Sequence, residues 1–251
     1  MKIKTFVTGC ALALAIFVFA HQRRLEPTPV IFHTIVDLTQ AEPDTADRTT
    51  GDHPGLASAK SHERQIAGAL SSRSKATRIE APARYARSLW TVDQIPPERL
   101  MGQLAVLDVR AKVKRDPGYE ITMDDINQWE QVNGQIPLGA VVMAETGWQR
   151  RERLGASQID SKRAPGYSDE AAKFLVEARN VRALGIDTPR VESSSSEDST
   201  VWQYTLSRSV YHLENVVSLE RVPASGAVVM VAPMKLEGLA DGPVRVLALV
   251  K

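Results

Sequence analysis

The feature that most constrains this chain is a succession of short apolar runs rich in β-branched residues: Val30–Leu38, Leu104–Val109, Ala140–Ala144, Val181–Ile186, Val210–Val217, Ala227–Val231 and Val244–Val250. Each is too short for an ordinary helix and too apolar for a loop, so each reads as a buried strand. The turn-forming pairs Ser225-Gly226 and Asp241-Gly242 precede the last two. Helical patterns are fewer. Thr122 can cap a helix with Asp125 at its third position and Ile126 and Trp129 on one face, and Gly134 ends it. Ser168-Asp169-Glu170 opens a second, carrying Ala172, Phe174, Leu175 and Ala178. Many strands with few helices predict a mixed α/β domain, and no internal repeat interrupts it.

The chain has 251 residues, 43% apolar and 24% charged, enough to bury a sizeable core. Its 31 Lys and Arg and 30 Asp and Glu are interspersed, which leaves no footprint for nucleic acid or an anionic membrane. A small-molecule or protein partner is the expectation.

Residues 1–20 read as a secretory signal: Lys2 and Lys4 precede an apolar stretch from Thr5 to Phe19, and Val18-Phe19-Ala20 offers a small-residue cleavage site. The alternative is a retained anchor, since His21-Gln22-Arg23-Arg24 follows; the stretch is shorter than the roughly 20 apolar residues of a comfortable span. Cleavage predicts an exported protein, periplasmic or extracellular, with no membrane association. It would also remove Cys10, the only cysteine, and with it disulfides, thiol nucleophiles and Cys-based zinc sites. Residues 21–29 read as a linker and 30–251 as the folded domain. Gln40–Ala76 reads as a long polar loop with a helical piece around Glu63–Leu70, and Pro189–Thr200 as a solvated loop.

Six strings occur in order along the domain: Thr91-Val-Asp-Gln-Ile-Pro-Pro-Glu-Arg-Leu100, Val106-Leu-Asp-Val-Arg110, Ile136-Pro-Leu-Gly-Ala-Val-Val142, Thr146-Gly-Trp148, Gly185-Ile-Asp-Thr188 and His212-Leu-Glu-Asn-Val216. Together they resemble the cyclase family of metal-dependent hydrolases, which includes kynurenine formamidase and isatin hydrolase, over about residues 34–251. The resemblance implies an α/β fold, with a mixed sheet forming a β-barrel-like core and flanking helices. It also implies a homo-oligomer and a zinc or manganese ion that activates water against an amide or cyclic amide.

The family's motif is His-x-Gly-Thr-His-x-Asp-x-Pro-x-His, followed later by a His and a Glu twelve residues apart. Aligned through Thr77 and Pro82, this chain has Ser74 and Arg78 in the first two His positions, Glu80 in the Asp position and Arg84 in the third His position. Trp202 stands twelve residues before Glu214, where the later His belongs. Of these positions only Glu214 keeps the family's residue, and Glu80 keeps the charge. Guanidinium offers no lone pair and repels a divalent ion. The expectation is therefore no metal in this chain, with Arg78 and Arg84 paired to Glu80 and Glu214, and a weakly active or inactive hydrolase.

Two alternatives stay open. His53 and His62, in the long loop, could rebuild a metal site; their spacing fits solvent-exposed loop histidines better. Arg78 and Arg84 beside Tyr85 and Trp202 could instead hold an anionic aromatic ligand. Three further readings concern neighbouring residues. Asp187 is a candidate for the pocket wall or a strand-end turn. His212 and Glu214 share one face of a strand, which could bring His212 toward the pocket. Ser193–Ser196 reads as a solvated loop and Gln149–Arg153 as an exposed turn or helix face.

Overall fold

A computed structural model describes residues 31–41, 75–153, 163–194 and 199–251. The signal and linker expectations, nearly all of the long loop, His53, His62 and Ser74 lie outside the described residues. From Phe32 onward the chain forms one compact unit.

The elements run β1 (Thr34–Asp37), β2 (Arg78–Glu80), β3 (Met101–Asp108), α1 (Arg110–Val113), β4 (Glu120–Ile121), α2 (Met123–Asn133), β5 (Val141–Glu145), α3 (Trp148–Arg153), β6 (Gly166–Tyr167), α4 (Asp169–Arg179), β7 (Ala183–Ile186), α5 (Thr200–Ser207), β8 (Tyr211–Glu214), β9 (Ala227–Pro233) and β10 (Asp241–Val250). Three-residue 3₁₀ turns lie at Pro82–Arg84, Val92–Gln94, Pro97–Arg99 and Leu219–Arg221.

Strands β3, β5, β7 and β8 are parallel neighbours, and β8, β2, β10, β9 and β3 continue the circuit in antiparallel pairs. The ten-residue strand β10 closes the seven-stranded barrel. One of its edges pairs with β2 and, further along, with β1, while the other pairs with β9. Closure removes open sheet edges from the circuit.

Strand side chains alternate between the two faces. Ile79, Val106, Met143, Leu213, Val229 and Val246 fill the barrel. Leu107, Val142, Leu184 and Ile186 point outward beneath Ile126 and Leu175 of α2 and α4. The predicted α/β class, with a barrel-like core and flanking helices, is the architecture found.

Helix starts follow the capping chemistry. The Thr122 amide donates to Asp125 Oδ2 at 2.8 Å, the Ser168 hydroxyl accepts from the Ala171 amide at 3.3 Å, and Gly134 closes α2 with φ +80°. One loop reading is corrected. In the segment expected to be solvated, Val191, Glu192 and Ser193 are buried, because the Tyr167 amide donates to the Val191 carbonyl at 2.8 Å and draws the chain inward. Helix α5 then begins at Thr200 with no side-chain cap and in a β-branched, aromatic-rich stretch, so neither capping nor propensity announces it. Gln149–Arg153 forms part of α3, the helix alternative of its reading, but Gln149 is buried rather than exposed, donating to the Asp187 carbonyl at 3.1 Å. Among the described residues, no helix is long and apolar enough to cross a membrane.

Candidate functional site

Strands β2 and β8 pair antiparallel with Arg78 opposite Glu214 and Glu80 opposite His212. Period-two alternation sends Ile79 and Leu213 into the barrel and leaves the other four side chains on its outer wall. Helix α5 and residues 189–192 complete a cleft of about 720 Å³, lined by Arg78, Glu80, Arg84, Arg190, Trp202 and Glu214 among others.

Glu80 is the focus. Its Oε2 accepts the Trp202 indole N–H at 2.8 Å and lies 3.2 Å from His212 Nδ1, and its Oε1 accepts from Arg84 Nε at 3.3 Å. Burial raises the affinity of this carboxyl for a proton. Hydrogen bonding and charge from His212, with the contributions of Trp202 and Arg84, outweigh it and leave the pKa below the ordinary range. An ionised Glu80 accepts only, so Nδ1 of His212 is assigned the hydrogen. On the other side of the fully buried ring, Nε2 lies 2.6 Å from Thr205 Oγ1, itself 2.7 Å from the Val201 carbonyl oxygen. Both ring nitrogens are thus engaged.

Glu214 behaves oppositely. Burial, with the charge of Glu80 adding, lifts its pKa well above the ordinary range, while Arg78 and Arg190 pull the other way. Arg78 is buried and reaches Asp241 Oδ2 at 3.5 Å, and Arg190 Nη2 lies 3.1 Å from Glu192 Oε1.

Most positions singled out in the sequence meet here. Arg78, Glu80, Arg84, Trp202 and Glu214 line one cleft. Tyr85 stands edge-on to Trp202 with ring centroids 6.1 Å apart. His212 joins through Glu80. The expected Arg84–Glu80 pairing is present; Arg78 lies opposite Glu214 in the strand register, and its ion pair is with Asp241.

Asp187 sits directly after β7, the strand-end alternative of its reading, and outside the lining of the Glu80 cleft. Its carboxylate accepts from the Thr146 hydroxyl at 2.6 Å and from the Trp148 amide at 2.9 Å, which turns it toward a second cavity of about 240 Å³ lined also by Arg110 and Glu145. Burial raises its pKa against those hydrogen bonds. Sequence reasoning missed Thr205, Arg190, Glu192 and Asp241. Thr205 lies on the helix that was not foreseen, and the others are ordinary charged residues until strand pairing brings them together.

Glu80, His212 and Glu214 also satisfy a simple proximity condition for metal ligands, with one candidate ligand atom from each within 4.8 Å of the others. The closed mixed barrel, with carboxylates and an imidazole on its outer wall, is a cyclase-type fold. Residues 28–193, more than half of the chain, match the family model described as "Putative cyclase", and the chain belongs to that family.

An isatin hydrolase of Roseibium aggregatum is 28% identical over 167 residues, spanning 63% of this chain and 63% of that relative. The chain therefore matches less than two thirds of the relative's length. Among solved structures, isatin hydrolase A from Ralstonia solanacearum superposes with a TM-score of 0.71 at 26% identity, covering 87% of this chain and 92% of that one. Isatin hydrolase A from Labrenzia aggregata bound to benzyl benzoate gives 0.70 at 25% identity, covering 86% and 93%.

Proposed function

We propose that this chain is an isatin-hydrolase-like cyclase in which an internal charge cluster has replaced the catalytic metal, leaving it weakly active or inactive as an amide hydrolase. The observation that carries the reading is the convergence of Trp202, His212 and Arg84 on the Glu80 carboxylate. A divalent ion needs free lone pairs. Here Nδ1 of His212 holds a hydrogen, Nε2 faces Thr205, each Glu80 oxygen already accepts a hydrogen bond, and burial favours the neutral acid at Glu214. The buried guanidinium of Arg78 adds fixed positive charge. As arranged, these donors do not fit zinc or manganese, and no hydrolytic step is assigned to them.

The test is metal analysis after equilibration with zinc and with manganese, together with assays on isatin and formyl-kynurenine. The expected result is far less than one ion per chain and background hydrolysis. Stoichiometric metal would overturn the proposal.

A second reading is favoured by the proximity of Glu80, His212 and Glu214: rotation of Trp202 and Arg84 away would leave three ligands around one point. That rebuilt site requires hydrolysis that EDTA abolishes. The cleft also has room for a small molecule, but Arg78, Arg84 and Arg190 already face Asp241, Glu80 and Glu192. An anionic aromatic ligand would have to compete with those carboxylates, so this alternative is disfavoured. Export is part of the proposal, supported by residues 1–20 alone; recovery of the chain in the cytosolic fraction would contradict it.

A further inference from the structure

The parallel strands β3, β5, β7 and β8 all end on the same side of the barrel, and charged side chains collect there. Asp108 and Glu145 are the last residues of β3 and β5, Asp187 follows β7, and Val216 stands two residues beyond β8. The carboxyl ends of parallel strands are where α/β sheets receive ligands. Here they lead to the second cavity, of about 240 Å³, which Arg110, Gln149 and Glu220 also line. Val216, Val217 and Leu219 give it an apolar wall. None of the residues lining this cavity lines the Glu80 cleft.

Two acceptors on its lining receive no hydrogen bond among the described residues. Glu145 is 6% exposed; its Oε1 lies 3.1 Å from Arg110 Nη1, and no donor reaches Oε2. Gln149 is 4% exposed, and its Nε2 donates to the Asp187 carbonyl, which leaves its Oε1 open. The neighbouring groups are committed elsewhere. Arg110 donates to Asp108 from Nε at 2.9 Å and from Nη2 at 2.6 Å, and the Asp187 carboxylate accepts from Thr146 and Trp148. Arg150, also in the lining, is exposed to water, and Arg151 lies outside the lining with its guanidinium over the Trp148 ring. Carboxylates outnumber cations around Glu145: Asp108, Asp187 and Glu220 stand with it against Arg110 and Arg150.

We infer that this cavity binds a small primary ammonium ion, whose N–H groups donate to Glu145 Oε2 and Gln149 Oε1 while its alkyl part lies against Val216, Val217 and Leu219. An ammonium brings three donors and a positive charge, and the cavity lacks both. An anion would meet the carboxylates and find no uncommitted buried side-chain donor in the lining. A divalent metal is not fitted either: among the described residues, the acidic and imidazole groups close enough to share an ion are Glu80, His212 and Glu214, not these. The cavity holds several times the roughly 30 Å³ share of one water and falls below the roughly 300–1,000 Å³ of ordinary ligand pockets, which suits a short alkylamine. Binding is linked to pH. Burial, opposed by Arg110 and reinforced by Asp108, Asp187 and Glu220, pushes Glu145 up to about 7. A cation beside Oε2 favours the ionised form, so binding expels the proton and affinity rises with pH. The alkylammonium itself stays charged throughout, its pKa being near the roughly 10.4 of lysine.

The test is saturation-transfer NMR of n-butylammonium with the purified full chain at about pH 8.5 and about pH 5.5 and constant ionic strength, with butyrate and 1-butanol as anionic and neutral controls. The expected result is saturable binding of n-butylammonium at the higher pH with a dissociation constant of about 1–10 mM. Affinity falls at least about tenfold at the lower pH, and neither control saturates. Glu145→Gln, with folding checked by circular dichroism, weakens binding about tenfold or more and removes its pH dependence. Absence of saturable n-butylammonium binding up to tens of millimolar would overturn the inference. So would butyrate or 1-butanol binding as tightly, an affinity that does not change with pH, or a folded Glu145→Gln variant that binds like the wild type. The pH comparison uses the wild type alone and decides the matter even if the variant does not fold.

Discussion

Trp202, His212 and Arg84 hold Glu80 from three sides, which makes this carboxylate a more demanding position than its neighbours. Glu80→Gln leaves Arg84 without its counter-charge and replaces the charged acceptor facing Trp202 and His212, and is expected to cost about 3 kcal/mol. Trp202→Phe removes one indole hydrogen bond while keeping most of the ring, and is expected to cost about 1 kcal/mol. Urea unfolding of both variants separates the two effects, and equal costs would mean that Glu80 is not the centre of an ionic cluster.

A second residue gives a pH signature. Burial, opposed by Arg110 and reinforced by the charges of Asp108, Asp187 and Glu220, pushes Glu145 up to about 7. The folded chain thus binds this proton more tightly than the unfolded chain. Its contribution to stability is complete below the unfolded value near 4.5 and is lost as the pH rises through about 7. Glu145→Gln should remove up to roughly 3 kcal/mol of that decline between about pH 5 and pH 8. Unfolding midpoints across the range measure it, and an unchanged slope would contradict the assignment. That Arg78, Glu80 and Arg84 belong to one cleft was legible in the sequence, whereas the protonation of Glu145 was not, because it depends on burial.

Among the elements, α2 and α4 were readable because Thr122 and Ser168 stand at their N-termini ahead of helical apolar spacing. Ser168→Ala should cost about 1 kcal/mol in thermal or urea unfolding. Helix α5 was not readable, and the site suffers most from that, since Trp202 and Thr205 both lie on it. The strand-like runs were placed correctly but their ends were not: β3, β9 and β10 extend beyond the runs, whereas Val210–Val217 yields β8 only over Tyr211–Glu214, after which Asn215 takes φ +55° and bends the chain.

Close packing at β6 shapes one wall of the cleft. A Cβ on Gly166 would collide with the backbone of Glu192 and Ser193, so Gly166→Ala must displace the segment that carries Arg190 and Glu192. A loss of about 2–3 kcal/mol is expected. Stability within error of wild type would show that this segment yields freely.

For the whole molecule, alternation along each strand revealed which side chains share a face, but not which strands are neighbours. Glu80 and His212 meet across 132 residues because β2 pairs with β8. That pairing follows from closure of the barrel by β10, a property of no single segment. The same closure places an imidazole against a carboxylate on the barrel's outer wall, with arginines beside them. Family membership thus establishes the scaffold, and the occupants of the motif positions decide its chemistry.

The most direct measurement is the metal content of the purified chain after exposure to excess zinc or manganese and removal of unbound ion. A chain whose donors are spent on its own hydrogen bonds retains far less than one equivalent of either. One equivalent of metal, bound in the wild type and lost in Glu80→Gln or His212→Gln, would contradict the account and place the ion at the charge cluster itself.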